Sequence, residues 1–136
     1  MAAHSVTVRE NGGGRYQQTV SAGRHRFIAD EPESMGGADA GPAPFDYLLT
    51  ALGTCTSMTL RMYAERKALH LHGIEVELTH ERVDVDGQPR DRIHRRISLY
   101  GDLSGEQRQR MLEIAAKCPV ARTLGQALLL EATLAA

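Results

Sequence analysis

Two thiols are the first residues in this chain whose type could do chemistry. Cys55 lies inside an apolar run and Cys118 stands directly before Pro119. A thiolate attacks a peroxide oxygen and becomes a sulfenic acid, which a second thiol condenses to a disulfide, so a pair is the minimum for such a cycle. The plain alternative is packing, because free cysteine is among the most buried residue types and behaves as a small hydrophobe. Two features favour chemistry. Cys118 sits where a helix is expected to begin, and the unpaired N–H groups there favour a thiolate. Both cysteines also fall on apolar helix faces, so they can meet in the core although they are far apart in sequence.

Other candidates are weaker. His70 and His72 share a strand face, but zinc needs three or four ligands, and no CxxC, HExxH or third nearby ligand accompanies them. Gly36, Gly37 and Gly41 belong to neither GxxxxGK[ST] nor GxGxxG, and read as turn residues rather than a phosphate cradle. Arg92, His94 and Arg96 alternate along one strand and read as a solvated face. No GxSxG elbow is present. We expect no metal site.

Sixteen basic residues stand against 17 acidic ones, so the chain lacks the basic excess of a nucleic-acid binder. Its longest charge-free helical stretch, Tyr47 to Leu60, falls short of the roughly 18 residues that a membrane span needs. No basic segment followed by an apolar run opens the sequence, and two cysteines are too few for a disulfide scaffold. The expectation is a cytoplasmic protein that binds neither nucleic acid nor membrane, with residues 1–136 forming a single domain.

The elements that must position the thiols follow from periodicity. Short strands are expected at residues 5–9, 15–21 and 24–30, separated by Asn11-Gly12-Gly13-Gly14 and Ala22-Gly23. Residues 30–44 form a Pro- and Gly-rich loop, and loops of this length inside a domain are often functional. A long helix is expected from Pro44 to about Lys67, with Phe45, Leu48, Leu49, Leu52, Cys55, Thr59 and Met62 along one stripe. It carries no charge between Asp46 and Arg61, so it belongs in a core or a subunit interface. A hairpin follows, with Ile74, Val76 and Leu78 alternating in one arm, Ile93, Ile97 and Leu99 in the other, and a loop over residues 84–90. Ser104 and Gln107 make a capping box before a helix. Pro119 starts a short helix through Ala127, and residues 128–134 read as a last strand. The class is α+β, an antiparallel sheet packed on a central helix.

The segments GPAPFDYLLTALGTCTSMTLRMYA and AAKCPVARTL, with the upstream DEPESMGGADAGPAP loop, resemble the OsmC/Ohr family of thiol-dependent peroxidases. The resemblance covers nearly the whole chain in element order and is specific at the two cysteine segments. It implies an interwoven homodimer in which sheets wrap two long central helices, with active sites at the dimer interface. It also implies that Cys55 is the peroxidatic cysteine and Cys118 the resolving one. The partners it implies are a small organic hydroperoxide and a dithiol reductant, lipoyl or thioredoxin-like, with no metal or organic cofactor.

Hydroperoxide-resistance members pair the peroxidatic cysteine with an arginine from the N-terminal hairpin and a glutamate just after the proline. Arg15 matches the arginine by its place after the glycine turn, with Arg24 and Arg26 as rivals. The glutamate position holds Phe45. Asp46 is nine residues before Cys55, about 180° around a straight helix, and does not inherit that role. An apolar pocket of Leu48, Leu52, Met58 and Met62 would suit organic peroxides. The rival reading, favoured by the missing glutamate, is a non-catalytic OsmC-like dimer binding a small apolar ligand.

Overall fold

A computed structural model of the chain describes residues 4–135. Its chain forms two compact bodies, one up to Leu48 and one from Leu49 onward.

The first body is a three-stranded antiparallel meander, β1 (Thr7–Glu10), β2 (Gln18–Ala22) and β3 (His25–Ala29). Val20, at the centre of β2, is its buried apolar residue. The second strand begins later than the alternation suggests. Asn11 folds the intervening segment into a turn, its side-chain oxygen accepting from the Gly13 N–H at 2.7 Å and its own N–H reaching the Gln17 carbonyl at 3.4 Å. The loop after β3 is built around Asp30, which is almost wholly inaccessible. Its carboxylate accepts from the backbone N–H groups of Glu31, Ala38 and Ala40 at 2.8, 3.2 and 3.1 Å. The Ala40 N–H contributes most to holding that carboxyl below its ordinary value, and Glu31 and Ala38 add to it against the opposing effect of burial. The loop also contains a short 3-10 turn at Glu33–Met35, which periodicity did not indicate.

Helix α1 (Pro44–Arg66) starts in this body and continues through the second. Pro44 occupies the first helical position, where a missing N–H costs nothing. Asp46 closes the start, its carboxylate accepting from the Ala43 N–H at 3.0 Å. The expected buried stripe is rotated. Leu52, Gly53, Thr56, Leu60, Tyr63 and Ala64 are buried, whereas Phe45, Met58 and Met62 are more than half exposed. A helix apolar all round carries no periodic signal to choose its inner face, and small residues decide instead: a Cβ on Gly53 would stand only 2.6 Å from Leu78 Cδ1. The Leu48/Leu52 and Met58/Met62 pairs lie about 80° apart on the helix, and Leu52 is buried whereas Met58 and Met62 are exposed, so they do not share one pocket wall.

The second body pairs β4 (His70–Val85) with β5 (Gln88–Asp102) as a long antiparallel hairpin. The expected loop over 84–90 is mostly strand. The turn is Asp86-Gly87 alone, both residues at positive φ (54° and 79°), which matches the twist of the flanking strands. Helix α2 (Gly105–Ala115) opens on the expected capping box, with Ser104 and Gln107 exchanging hydrogen bonds at 3.1 and 2.9 Å. Leu60, Tyr63 and Ala64 of α1, Leu71 of β4, and Met111, Ile114 and Ala115 of α2 form the core, with Ile74, Ile97 and Leu99 against it. A last helix, α3, spans Pro119–Leu124 and ends at Gly125, short of Ala127.

The expected strand over residues 128–134 is absent. That segment has no regular structure, and Leu129, Leu130 and Leu134 are 90, 88 and 99% exposed. Apolar residues alone do not make a strand; its N–H and C=O groups need a neighbouring edge to pair with. Among the described residues no helix is long and apolar enough to cross a membrane.

Two outcomes follow. Gly101 pairs with Leu71 at φ 150°, and a Cβ there would collide with the His70 carbonyl. Gly101→Ala should destabilise the chain by about 2–3 kcal/mol, read as a lowered denaturation midpoint at unchanged slope. Asp30 ionises more readily folded than unfolded, so its contribution is complete above about pH 4, the unfolded value, and is lost as pH falls through the lower folded value. Asp30→Asn should flatten the acid limb of stability against pH below about pH 4; an unchanged limb would remove Asp30 from that linkage.

Candidate functional site

The chain break between α2 and α3 brings the two thiols together. Cys118 is the N-cap of α3, in extended conformation, and Pro119 fixes the first helical residue behind it. The Cys118 sulfur accepts from the Ala121 N–H at 3.4 Å, as a serine or aspartate oxygen does at this position. The neighbouring N–H, that of Val120, donates to the Cys55 sulfur on α1 at 3.5 Å. Consecutive amides of one turn therefore hold one sulfur from each element. Both cysteines are free. Their exposure differs: Cys55 is half-buried, and Cys118 is completely inaccessible.

Thr56, next to Cys55 and also completely buried, connects this pair to the sheet. Its hydroxyl donates to the Leu52 carbonyl at 2.7 Å and faces the Cys118 sulfur at 3.8 Å. Arg95 of β5 donates to the same Thr56 oxygen at 2.9 Å and to the Ala115 carbonyl, at the end of α2, at 3.0 Å. Burial pushes the Cys118 thiol up. The Ala121 N–H, the Thr56 hydroxyl, the Cys55 thiol and the Arg95 charge outweigh it and hold Cys118 below its ordinary value.

Arg95 is the residue that sequence reasoning missed. Arg92, His94 and Arg96 attracted notice, yet all three are exposed, with Arg92 and Arg96 paired across the hairpin to Glu81 and Glu77. The signal was in the same alternation: Arg95 falls on the face of Ile93 and Ile97, where an arginine has no ordinary place. Cross-strand from Leu78, it is half-buried.

Arg15, the expected cation, belongs to the first body, and its guanidinium lies 5.1 Å from the centre of the Tyr16 ring. Arg26 donates to the Gly23 and His25 carbonyls at 3.1 and 3.3 Å, and Arg24 is exposed in the β2–β3 turn. His70 and His72 are both exposed, His72 at a bulge in β4 where the register shifts between Leu71 and Gly73, and among the described residues no three His, Cys, Asp or Glu side chains gather as a metal site.

A family model described as OsmC-like protein matches residues 36–132, which include both cysteines, Thr56 and Arg95. No curated protein matches the chain. Solved structures share the fold at low identity. The OsmC-like protein of Mycoplasma pneumoniae is 20% identical, with a TM-score of 0.76 over 91% of this chain and 88% of that one. The organic hydroperoxide resistance protein OhrB of Bacillus subtilis is 18% identical, with a TM-score of 0.62 over 90% of each chain. That of Elizabethkingia anophelis is also 18% identical, with a TM-score of 0.66 over 90% of this chain and 88% of that one. The match of the family model over most of the chain, through the segments that carry the paired thiols, makes this protein a member of the OsmC family.

Proposed function

We propose that this chain is a thiol-dependent peroxidase for organic hydroperoxides, with Cys55 as the attacking sulfur and Cys118 as the resolving one. The observation that carries this reading is the seating of both reduced sulfurs on consecutive N–H groups of one helical turn. The hydroperoxide resistance proteins among the structural relatives support it.

In the cycle, the Cys55 thiolate attacks the distal peroxide oxygen. The O–O bond breaks, the alkoxide leaves and takes a proton, and Cys55 becomes a sulfenic acid. Cys118 then attacks the Cys55 sulfur, and hydroxide leaves as water. The resulting disulfide is reduced by a dithiol, lipoyl or thioredoxin-like, which supplies two electrons and two protons. The unequal exposure of the sulfurs suits this division of labour, since the substrate must reach Cys55 and need never reach Cys118. The reducing cytoplasm is the compartment in which two unpaired thiols persist. Arg15 remains the candidate to stabilise the Cys55 thiolate, and the whole chain acts as one OsmC-like domain.

The working form is a homodimer. Met58 and Met62 flank a groove with Ser57, Arg61, Glu65 and Ile74 and are 59 and 62% exposed, an unusual state for two apolar side chains one helical turn apart.

With cumene hydroperoxide and dihydrolipoamide, the wild type should turn over. Cys55→Ser should lose at least 100-fold, and Cys118→Ser should consume about one equivalent and stop. Consumption insensitive to Cys55→Ser would return the chain to the rival reading, a dimer binding a small apolar ligand. Sedimentation at micromolar concentration should give twice the 14.9 kDa chain mass, and Met58→Glu with Met62→Glu should shift it toward monomer. A folded wild-type monomer under those conditions would refute the dimer.

A further inference from the structure

The proposed cycle asks Cys118 to act as a nucleophile, yet it is buried without access to water. A sulfur so placed needs an internal source of charge stabilisation. The titratable groups facing it are Cys55 from α1 and Arg95 from β5; Lys117 and Arg122, its neighbours in sequence, are exposed. Arg95 does not touch the sulfur. It touches Thr56, and Thr56 touches the sulfur.

The hydrogens of Thr56 can be assigned. Its one proton goes to the Leu52 carbonyl, and Arg95 donates into one lone pair. A neutral Cys118 therefore presents its S–H to the remaining lone pair, and the oxygen is saturated. Once Cys118 ionises, that arrangement fails, because a thiolate offers no proton. The threonine O–H can then turn from Leu52 to the sulfur. The turn costs little, for the Leu52 carbonyl keeps the Thr56 N–H of the helical i to i−4 ladder. Throughout, Arg95 stays fixed by the Ala115 carbonyl and keeps its charge next to the rotating hydroxyl.

We propose that Arg95 and Thr56 form a positioning pair that stabilises the Cys118 thiolate, so that it attacks the oxidised Cys55 without delay. Its role in turnover rests on the peroxidase reading above; the ionisation of Cys118 does not. Resolution forms the S–S bond, breaks the S–O bond of the sulfenic acid, and releases hydroxide that takes a proton as water.

The test is an ultraviolet thiolate titration in a Cys55→Ala background, referenced to the variant lacking both thiols; it needs no reagent to enter the core and no peroxide. Arg95→Gln keeps hydrogen-bonding groups and removes the charge. Thr56→Val keeps the shape and removes the hydroxyl. Each should raise the midpoint of Cys118 by about one pH unit, with about tenfold less thiolate near neutrality. Arg95→Lys and Thr56→Ser should restore most of the parent behaviour. With both cysteines present, one equivalent of hydroperoxide should oxidise Cys55 no more slowly in Arg95→Gln than in the wild type, since less anion on Cys118 does not disfavour the Cys55 thiolate, while disulfide closure slows about tenfold at pH 7.

Gln and Val variants that are folded by circular dichroism and titrate like the parent would overturn the inference. So would a Lys variant shifted as far as the Gln variant, since charge would then be irrelevant. A chain that consumes no peroxide but shows the shifts loses the peroxidase reading and keeps this one. A chain that turns over peroxide with no shift in either variant does the reverse.

Discussion

The hydroxyl of Thr56 satisfies more neighbours than a single side-chain oxygen usually does. It ties to α1 through Leu52, to β5 through Arg95, and to the α2–α3 break through Cys118. Because Arg95 also caps the Ala115 carbonyl, the end of α2 is fixed to the same strand. These links set where the chain must break, and the break puts the amides of Val120 and Ala121 opposite the two sulfurs. Even a half-buried arginine is costly if unpaired, and Arg95 here meets two acceptors within hydrogen-bonding distance. The polar cluster thus behaves as a unit: loss of one member leaves the others with unsatisfied groups inside the fold.

The same packing explains how a thiol shielded from water is held below its ordinary value. Desolvation works against the anion, and no nearby charge is in direct contact. The compensation comes from one backbone N–H, one hydroxyl and one thiol, with the Arg95 charge behind the hydroxyl, all oriented by elements whose positions are set elsewhere. Such preorganised donors do not have to reorient from bulk solvent when charge appears, and they act in a medium where each counts for more.

Much of this was legible from sequence. Pro44, the capping box at Ser104 and the alternation around Ile74 and Ile97 are local signals, and each marked its element within a few residues. The two cysteine segments located the thiols and the family. Three things were not legible for physical reasons. The inner face of α1 is chosen by close approach at Gly53, which no hydrophobic stripe encodes in a helix apolar all round. Residues 128–134 have strand composition but pair with no strand among the described residues. Arg95 was hidden by its neighbours, because a run of basic residues draws attention to its solvated members and away from the one that faces inward.

The hairpin has a length that the helix beside it does not match. Sixteen residues of β4 extend about 50 Å at strand rise, while the 23 residues of α1 span about 35 Å. From Asp84 to Arg92 every residue is exposed, and cross-strand pairs there join Glu81 to Arg92, and His80 and Arg82 to Asp91. Exposed pairs of this kind contribute at most about 1 kcal/mol each and weaken as salt screens them. The ladder therefore carries a gradient of local stability along its own length. Its lower half, from Arg95 to the His70–Asp102 end, opens only with the core, whereas its tip at Asp86-Gly87 frays on its own and more readily as ionic strength rises. Motion at the far end of the hairpin is thereby uncoupled from the strand segment that carries the arginine.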